Sequence, residues 1–473
     1  TRAIDAGIDA QTRKPRSRQP AWLAAAATLA VIITTAGFAY NWYRAAEDQR
    51  IISAIIPKEV TAEPLDRTSQ SIVVLPFGAE PDEETISRRS DGLTLAVNNL
   101  LSASPQLFVI NHQTAQTYRD PGLTLPNIAA QLDVRYAVQG TVQREGDRTV
   151  AYVKLIDPRS EVELWAGRFE VNQNTAATIA DEISIAIGRR AERSIERRKL
   201  RRAPNDSPEV AALIRQGNAF LNATLCGRLD PKAKFFFSEA LRKDPNSARA
   251  MGRLANYLMF ELANVRLENP QESVAEAERL ALRALEIAPE DGALYFALGL
   301  VRRLQARHDE SLAAFEKSLE YEPNLAATYA QIGYAKMLLG RAEETESLIR
   351  KSIRLNPRGP ANCIWATVAG MANFYLERDD EALAWFKKAI ELGPHIPRNH
   401  QFVAAIYALR GDRAKAIEHV NIMLNMSPPT TLKDVRAYPG LDTDPRYQAQ
   451  RKRFLHGAEL AFGFAGHLEY RAD

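Results

Sequence analysis

Only two of the 473 residues are cysteine and only seven are histidine. That excludes a disulfide-stapled scaffold and the four-ligand zinc signatures, which need such residues in closely spaced sets. No HExxH, no GxSxG elbow, no glycine-rich phosphate loop and no CxxC pair occurs, so the sequence signatures of common hydrolase, nucleotide-binding and thiol-redox sites are missing. An excess of one charge is missing too: 61 Lys and Arg face 58 Asp and Glu, a net +3. Binding to nucleic acid would need a concentrated basic face, and none is expected from this chain. Cys226 and Cys363 fall several repeat units apart, and because a disulfide needs Cα atoms within about 7 Å, both are expected to be unpaired. His395 and His400 are five apart, which does not align two ligands on one helix, so they are read as surface or packing residues. Paired acids at Glu83 and Glu84 and at Asp379 and Asp380 sit at helix starts, where they suit caps and solvent. No catalytic residue, metal or cofactor is assigned. With 46% apolar and 25% charged residues the chain reads as folded protein of two or three domains.

Long apolar runs are also scarce, and the single clear one organises the rest. Residues 21–43, AWLAAAATLAVIITTAGFAYNWY, carry no charge and as a helix would cross a hydrocarbon core of roughly 30 Å. Arg13, Lys14, Arg16 and Arg18 precede the run, and Trp22, Tyr40, Trp42 and Tyr43 sit at its two ends. Positive-inside asymmetry and aromatic belts then predict a single transmembrane helix with residues 1–20 as a basic cytoplasmic stub and everything after it outside. A cleaved signal peptide and a buried soluble helix are the alternatives. The first has an apolar core of about 7 to 15 residues, shorter than this run. The chain starts at Thr1 with a stub of only about twenty residues, so a further domain upstream of the membrane is expected.

Residues 44–70, with Pro57 and Pro64, read as a linker. Ser71 to Leu75 is a continuous apolar run closed by Pro76, as in a strand buried on both faces. Leu93, Val97, Leu100 and Leu101 follow at helical spacing, then a second apolar run at 107–110 and a short helix at 127–132. RYAVQGTVQ and TVAYVKLID flank a turn at Glu145 to Arg148 and predict a β-hairpin, with another strand at 164–169. Ile179, Ile183 and Ile187 mark a last helix, continued by a basic tail from Arg189 to Arg202 that reads as a solvated face or a contact with anionic lipid. SIVVLPF, SDGLTLAVNNLL, LFVI, the LDVRYAVQG hairpin region and IADEISIAIGRR, in that order over 71–202, resemble the TolB amino-terminal-like α/β domain. The resemblance implies an accessory or sensing domain without catalytic residues, set between a membrane helix and helical repeats. It also implies an upstream class III adenylate or guanylate cyclase domain or a winged-helix DNA-binding domain.

From 207 to 430 one phrase recurs: FSEALRKDP, ALRALEIAP, FEKSLEYEP, IRKSIRLNP, FKKAIELGP, VNIMLNMSP. Its prolines, at 245, 289, 323, 357, 394 and 428, are 44, 34, 34, 37 and 34 residues apart. A 34-residue period with small and large residues at fixed places, such as Gly299 with Phe315, resembles the tetratricopeptide repeat and implies about six units stacked into an all-α superhelix. The extra residues of the 44- and 37-residue units, near 265–272 and near Gly359 and Pro360, read as loop extensions. Residues 431–473 resemble a helical cap and tail, with Val403, Ile406, Tyr407, Phe454 and Leu455 contributing to closure.

By register, the concave groove takes Arg215, Asn218, Asn222, Arg249 and Asn256 early, and Phe296, Arg303, Tyr334, Met337, Met371 and Phe374 later. Its apolar half suits a helix or extended peptide from a protein partner. Phe296, Leu300, Ala330 and Tyr334 stand where some relatives place Lys and Asn to clamp a peptide carboxylate, which argues against that clamp there. The expectation is therefore a periplasmic sensing and protein-interaction region of a bacterial inner-membrane protein, held by 21–43 and relaying to a cyclase domain. The alternatives are a sensor for a winged-helix regulator and a free-standing adaptor.

Overall fold

The computed structural model describes residues 70–467 apart from 80–83, 106, 120–122, 187–205, 227–228, 265–269 and 438–444. The expected membrane anchor, the linker to residue 69 and the basic tail lie outside the described residues. Among the described residues no helix is long and apolar enough to cross a membrane.

The sheet forms because the strand runs alternate or saturate with β-branched residues. It orders β3-β1-β4-β5-β6, with β1 Gln70–Val74, β3 Leu107–Val109, β4 Tyr136–Glu145, β5 Arg148–Asp157 and β6 Val162–Glu170. A two-residue β2, Gly78–Ala79, also pairs with β4. β1 runs parallel to β3 and to β4, while β4, β5 and β6 form an antiparallel meander, so the βαβ-like half and the hairpin are both present. The hairpin turn sits at Gly146, whose φ of +61° suits glycine.

Alternate residues of β1 face two different cores. Ile72 and Val74 pack with α1 (Glu84–Ser102) and α4 (Thr175–Ala186) through Val97, Leu101, Ile179 and Ile183. Val73 and Leu75 point the other way, into a core with Phe108, Ile110, Ile128 and Leu132 from around α2 (His112–Gln116) and α3 (Leu125–Leu132). That second core also contains Ala326 and Leu355, which belong to the repeats. The continuous apolar run of β1 is thus explained by one face covered from within its own domain and one covered partly by the array.

The array consists of helix pairs: α5 Pro208–Thr224 with α6 Pro231–Lys243, α7 Ala248–Asn264 with α8 Pro270–Ile287, and α9 Gly292–Leu304 with α10 His308–Tyr321. It continues with α11 Ala326–Leu338 and α12 Thr345–Leu355, α13 Asn362–Tyr375 and α14 Asp379–Leu392, and α15 Pro397–Leu409 and α16 Arg413–Leu424. Two further helices, α17 Leu432–Ala437 and α18 Pro445–Phe464, follow. Helices of a pair touch where a small residue faces a ring. A Cβ on Gly299 would lie 2.4 Å from Phe315, and one on Gly370 2.7 Å from Phe386. The 44-residue unit departs from expectation: α7 has 17 residues and α8 has 18, against 13 and 14 in α9 and α10, so most of the insertion lengthens helices instead of a loop.

Asn324, directly after the repeat proline Pro323, and Asn356, directly before Pro357, join the array to the α/β domain. Asn324 Nδ2 donates to the carbonyls of Ser102 and Leu107, both at 3.0 Å. Asn356 Oδ1 accepts from the Thr114 hydroxyl at 2.7 Å, and the Asn111 amide donates to the Leu355 carbonyl at 2.9 Å. Arg358 lies 4.5 Å over the Tyr118 ring and donates to Thr117 at 2.9 Å. Residues 61–473 accordingly form one compact unit.

The expectation of two unpaired cysteines is overturned. Cys226, in the turn after α5, and Cys363, in the first turn of α13, form a disulfide with Cα atoms 5.9 Å apart across 137 residues of sequence. Sequence distance misled because a superhelix curls, bringing the turn of its first unit against the start of its fifth. Reducing this bond, or replacing both residues as Cys226→Ser with Cys363→Ser, should lower unfolding stability by about 2–5 kcal/mol, read from denaturant midpoints with and without reductant.

The turn between the helices of a unit demands a left-handed residue. Gly340 and Gly411 fill it with φ of +70° and +78°, but Ala306 and Glu377 occupy the same place at +58° and +61°. Non-glycine residues are strained there. Ala306→Gly and Glu377→Gly should each stabilise by about 0.5–1 kcal/mol, and Gly340→Ala should destabilise by a similar amount, in urea titrations.

Candidate functional site

The eleven residues expected along the groove divide by burial. Arg215 and Arg249 are exposed, and Asn218, Asn222 and Tyr334 are half-buried. Asn256, Phe296, Arg303, Met337, Met371 and Phe374 are buried. In the first units polar groups satisfy one another: Arg249 pairs with Asp206 at 3.2 Å, and Asp206 accepts from the Ser247 hydroxyl at 2.6 Å.

In the last units the chain covers its own apolar surface. Phe454 of α18 stacks on Phe402 with centroids 4.2 Å apart and meets Phe374 edge-on at 6.4 Å. The neighbouring Arg453 lies 4.2 Å over Phe374, donates to its carbonyl at 3.0 Å and forks onto Asp379 at 2.8 and 2.9 Å. Tyr447 packs on Tyr375, and Gly457 lies so close that a Cβ would come 2.9 Å from the Ala405 carbonyl. Phe374, expected to meet a partner, is thus sealed by α18. Arg453 Nη2 serves both Asp379 oxygens while Nη1 holds the Phe374 carbonyl, so two acceptors at a half-buried site fix the helix in angle as well as position. Sequence reasoning anticipated a cap with Phe454 in it. It missed the Arg453–Asp379 fork, for which the only signal was an arginine beside a core aromatic.

Between these ends lies Arg303. It is 6% exposed, its guanidinium lies 4.8 Å over the Tyr334 ring, and its Nε has no hydrogen-bond partner. Its neighbour Arg302 is engaged with Glu278, Glu310 and Gln305. Asn256 is 5% exposed and its Oδ1 is unpartnered. Tyr375 shares a hydrogen bond with Tyr447, and burial pushes its phenol well above the ordinary range, so that it stays protonated and able to donate.

His400 pairs with His419, not with His395: the two Nδ1 atoms are 2.9 Å apart. One ring donates and the other accepts, so the arrangement suits two neutral imidazoles. Burial lowers the pKa of both, and the neighbouring His400 helps bring His419 down to about 4. Asp379 and Asp380, in the first turn of α14, are paired with Arg453 and Arg410. No group of three or more His, Cys, Asp or Glu converges for a metal among the described residues.

Residues 293–325 match the tetratricopeptide repeat family. The matched stretch is the unit formed by α9 and α10. A curated relative, "Putative adenylate cyclase 3" of Rhizobium meliloti (strain 1021), is 25% identical over 261 residues, which cover 54% of this chain and 44% of that protein. The chain therefore spans less than half the length of that relative. Among solved structures, PilF of Pseudomonas aeruginosa is 17% identical with a TM-score of 0.34, covering 52% of this chain and 97% of that one. Human IFIT1, solved as a dimer with PPP-AAAA, is 17% identical with a TM-score of 0.41, covering 63% and 65%.

The histidine pair makes the stability of the α15–α16 unit depend on pH. Both folded-state pKa values lie below the ordinary 6.5. Above 6.5 the rings are neutral in folded and unfolded chains alike. Below it the unfolded chain binds protons that the folded one refuses, so stability falls from about pH 6.5 down through about 4. Thermal melts should show the midpoint dropping across that window, with a shallower drop in His419→Gln.

Proposed function

We propose that this chain is the extracytoplasmic recognition and relay region of a membrane-anchored protein whose output is cyclic-nucleotide synthesis. The observation that carries the reading is the docking of the α/β domain onto the turns that hold Asn324 and Asn356. A domain lashed to the middle of a recognition array by half-buried hydrogen bonds and a shared apolar core moves with it. A domain on a free linker would not. Ligand-dependent change in the array therefore has a rigid path into the α/β domain, provided that the ligand binds two states of the array unequally.

Three further observations support the wider setting. The partial similarity to a putative adenylate cyclase favours a cyclase over a winged-helix regulator as the upstream partner. The order of strands and helices in 70–186 is compatible with the resemblance to a TolB amino-terminal-like domain. The Cys226–Cys363 disulfide favours an oxidising compartment, in keeping with a periplasmic location and with residues 21–43 acting as the anchor.

The test is cyclic-nucleotide production by membranes carrying the full-length protein, with and without Asn324→Ala combined with Asn356→Ala. Losing these contacts should weaken docking by about 1–3 kcal/mol and change regulated output while the repeats remain folded by circular dichroism. No cyclic nucleotide from the intact protein, together with salt-sensitive DNA binding by its cytoplasmic part, would replace the cyclase with the transcription-regulator reading.

A further inference from the structure

A guanidinium in a protein interior is normally paired, because stripping its water without replacing it costs several kcal/mol. Arg303 departs from that pattern at one atom. The residue is 6% exposed, its Nε is buried without a hydrogen-bond partner, and no ion pair to it is found among the described residues. Its guanidinium rests 4.8 Å over the Tyr334 ring, a weaker contact than an ion pair. The acids near its own helix are spent elsewhere, Glu278 and Glu310 both engaging Arg302 and Arg307.

Tyr334 sets a phenol ring against the guanidinium. Asn256, eleven residues after Pro245 and on the first helix of its unit as Arg303 is on its own, also keeps a buried polar atom unpartnered. Guanidinium geometry matches a planar carboxylate through two parallel N–H bonds, which a desolvated site rewards.

We propose that Arg303, seated on Tyr334, anchors a binding site for a small organic carboxylate on the inner face between the third and fourth repeat units. The site deepens, and rests on, the reading of this face as the recognition surface. Bound carboxylate would neutralise the buried cation and tie α9 to α11, so its occupancy would bear on the units that hold the α/β domain through Asn324.

The experiment uses the full 473-residue chain in detergent micelles, with sodium acetate, succinate and benzoate as probes against sodium chloride at equal ionic strength. At least one probe should bind saturably, one per chain, in calorimetric titration and raise the melting temperature beyond the chloride control. Arg303→Gln should weaken that binding by roughly tenfold or more, and Tyr334→Phe by less. Arg303→Met should melt higher than the parent without ligand, since it removes a guanidinium whose Nε is buried and unpartnered, and should lose the ligand-induced shift. A purely structural arginine gives the opposite sign, a lower melting temperature, and that result overturns the site. So does the absence of saturable binding by every carboxylate, or equal affinity in Arg303→Gln. A short peptide with a free C-terminus, compared with its amide, separates the two readings. If the peptide acid binds and small carboxylates do not, the inner face remains a recognition surface but the small-molecule assignment falls. If neither binds and no protein partner is retained, the recognition reading falls with it.

Discussion

The close approach of the two helices within each repeat is the constraint on which the rest depends. Where Gly299 meets Phe315 and Gly370 meets Phe386 there is no room for a β-carbon, so the pair spacing is set by a hydrogen facing a ring. That spacing fixes the angle between successive pairs, and the angle fixes the curl of the superhelix. The curl then brings the turn after α5 to the start of α13, where Cys226 meets Cys363. It also aligns the turns around Pro323 and Pro357 so that Asn324, Leu355 and Asn356 present one continuous surface to the α/β domain. A wider spacing between the first and fifth pairs would pull Cys226 away from Cys363.

That surface gives the β1 strand its sequence. An edge or half-exposed strand would alternate apolar and polar residues, yet Ile72, Val73 and Val74 are all fully buried. One face is satisfied by α1 and α4, the other by α2, α3 and two repeat residues. The α/β domain and the array are thus mutually dependent: removing either would expose apolar surface on the other. Such a shared core is what a relay between recognition and output requires, because motion in one part cannot be absorbed by a loose joint.

At its two ends the inner face is settled within the chain. Arg249 and Asp206 neutralise each other early, and α18 lays Phe454 and Arg453 over Phe374, Phe402 and Asp379 late. The middle keeps its unsatisfied groups, Arg303 and Asn256. An acid at a suitable position would have paired the Arg303 guanidinium and removed the cost of its unpartnered Nε.

The sequence by itself determined the elements and their kinds. Six prolines at a near-constant period, the apolar run of β1, the hairpin around Gly146 and the helical spacing of Ile179 and Ile183 each report a local pattern, and local patterns follow from backbone geometry alone. It also placed Phe454 in the closing cap, because an aromatic at the end of a stack has nowhere else to go. Only the tertiary structure decided which distant residues meet. Cys226 with Cys363, Asn324 with Ser102 and Leu107, His400 with His419 and Arg453 with Asp379 are contacts whose partners share no period. Whether Phe374 faces a partner or α18, and whether Arg303 finds an acid, likewise depends on the summed rotation of successive helix pairs. That rotation is accumulated packing, a few degrees at each small-residue contact, and no single stretch of sequence contains it.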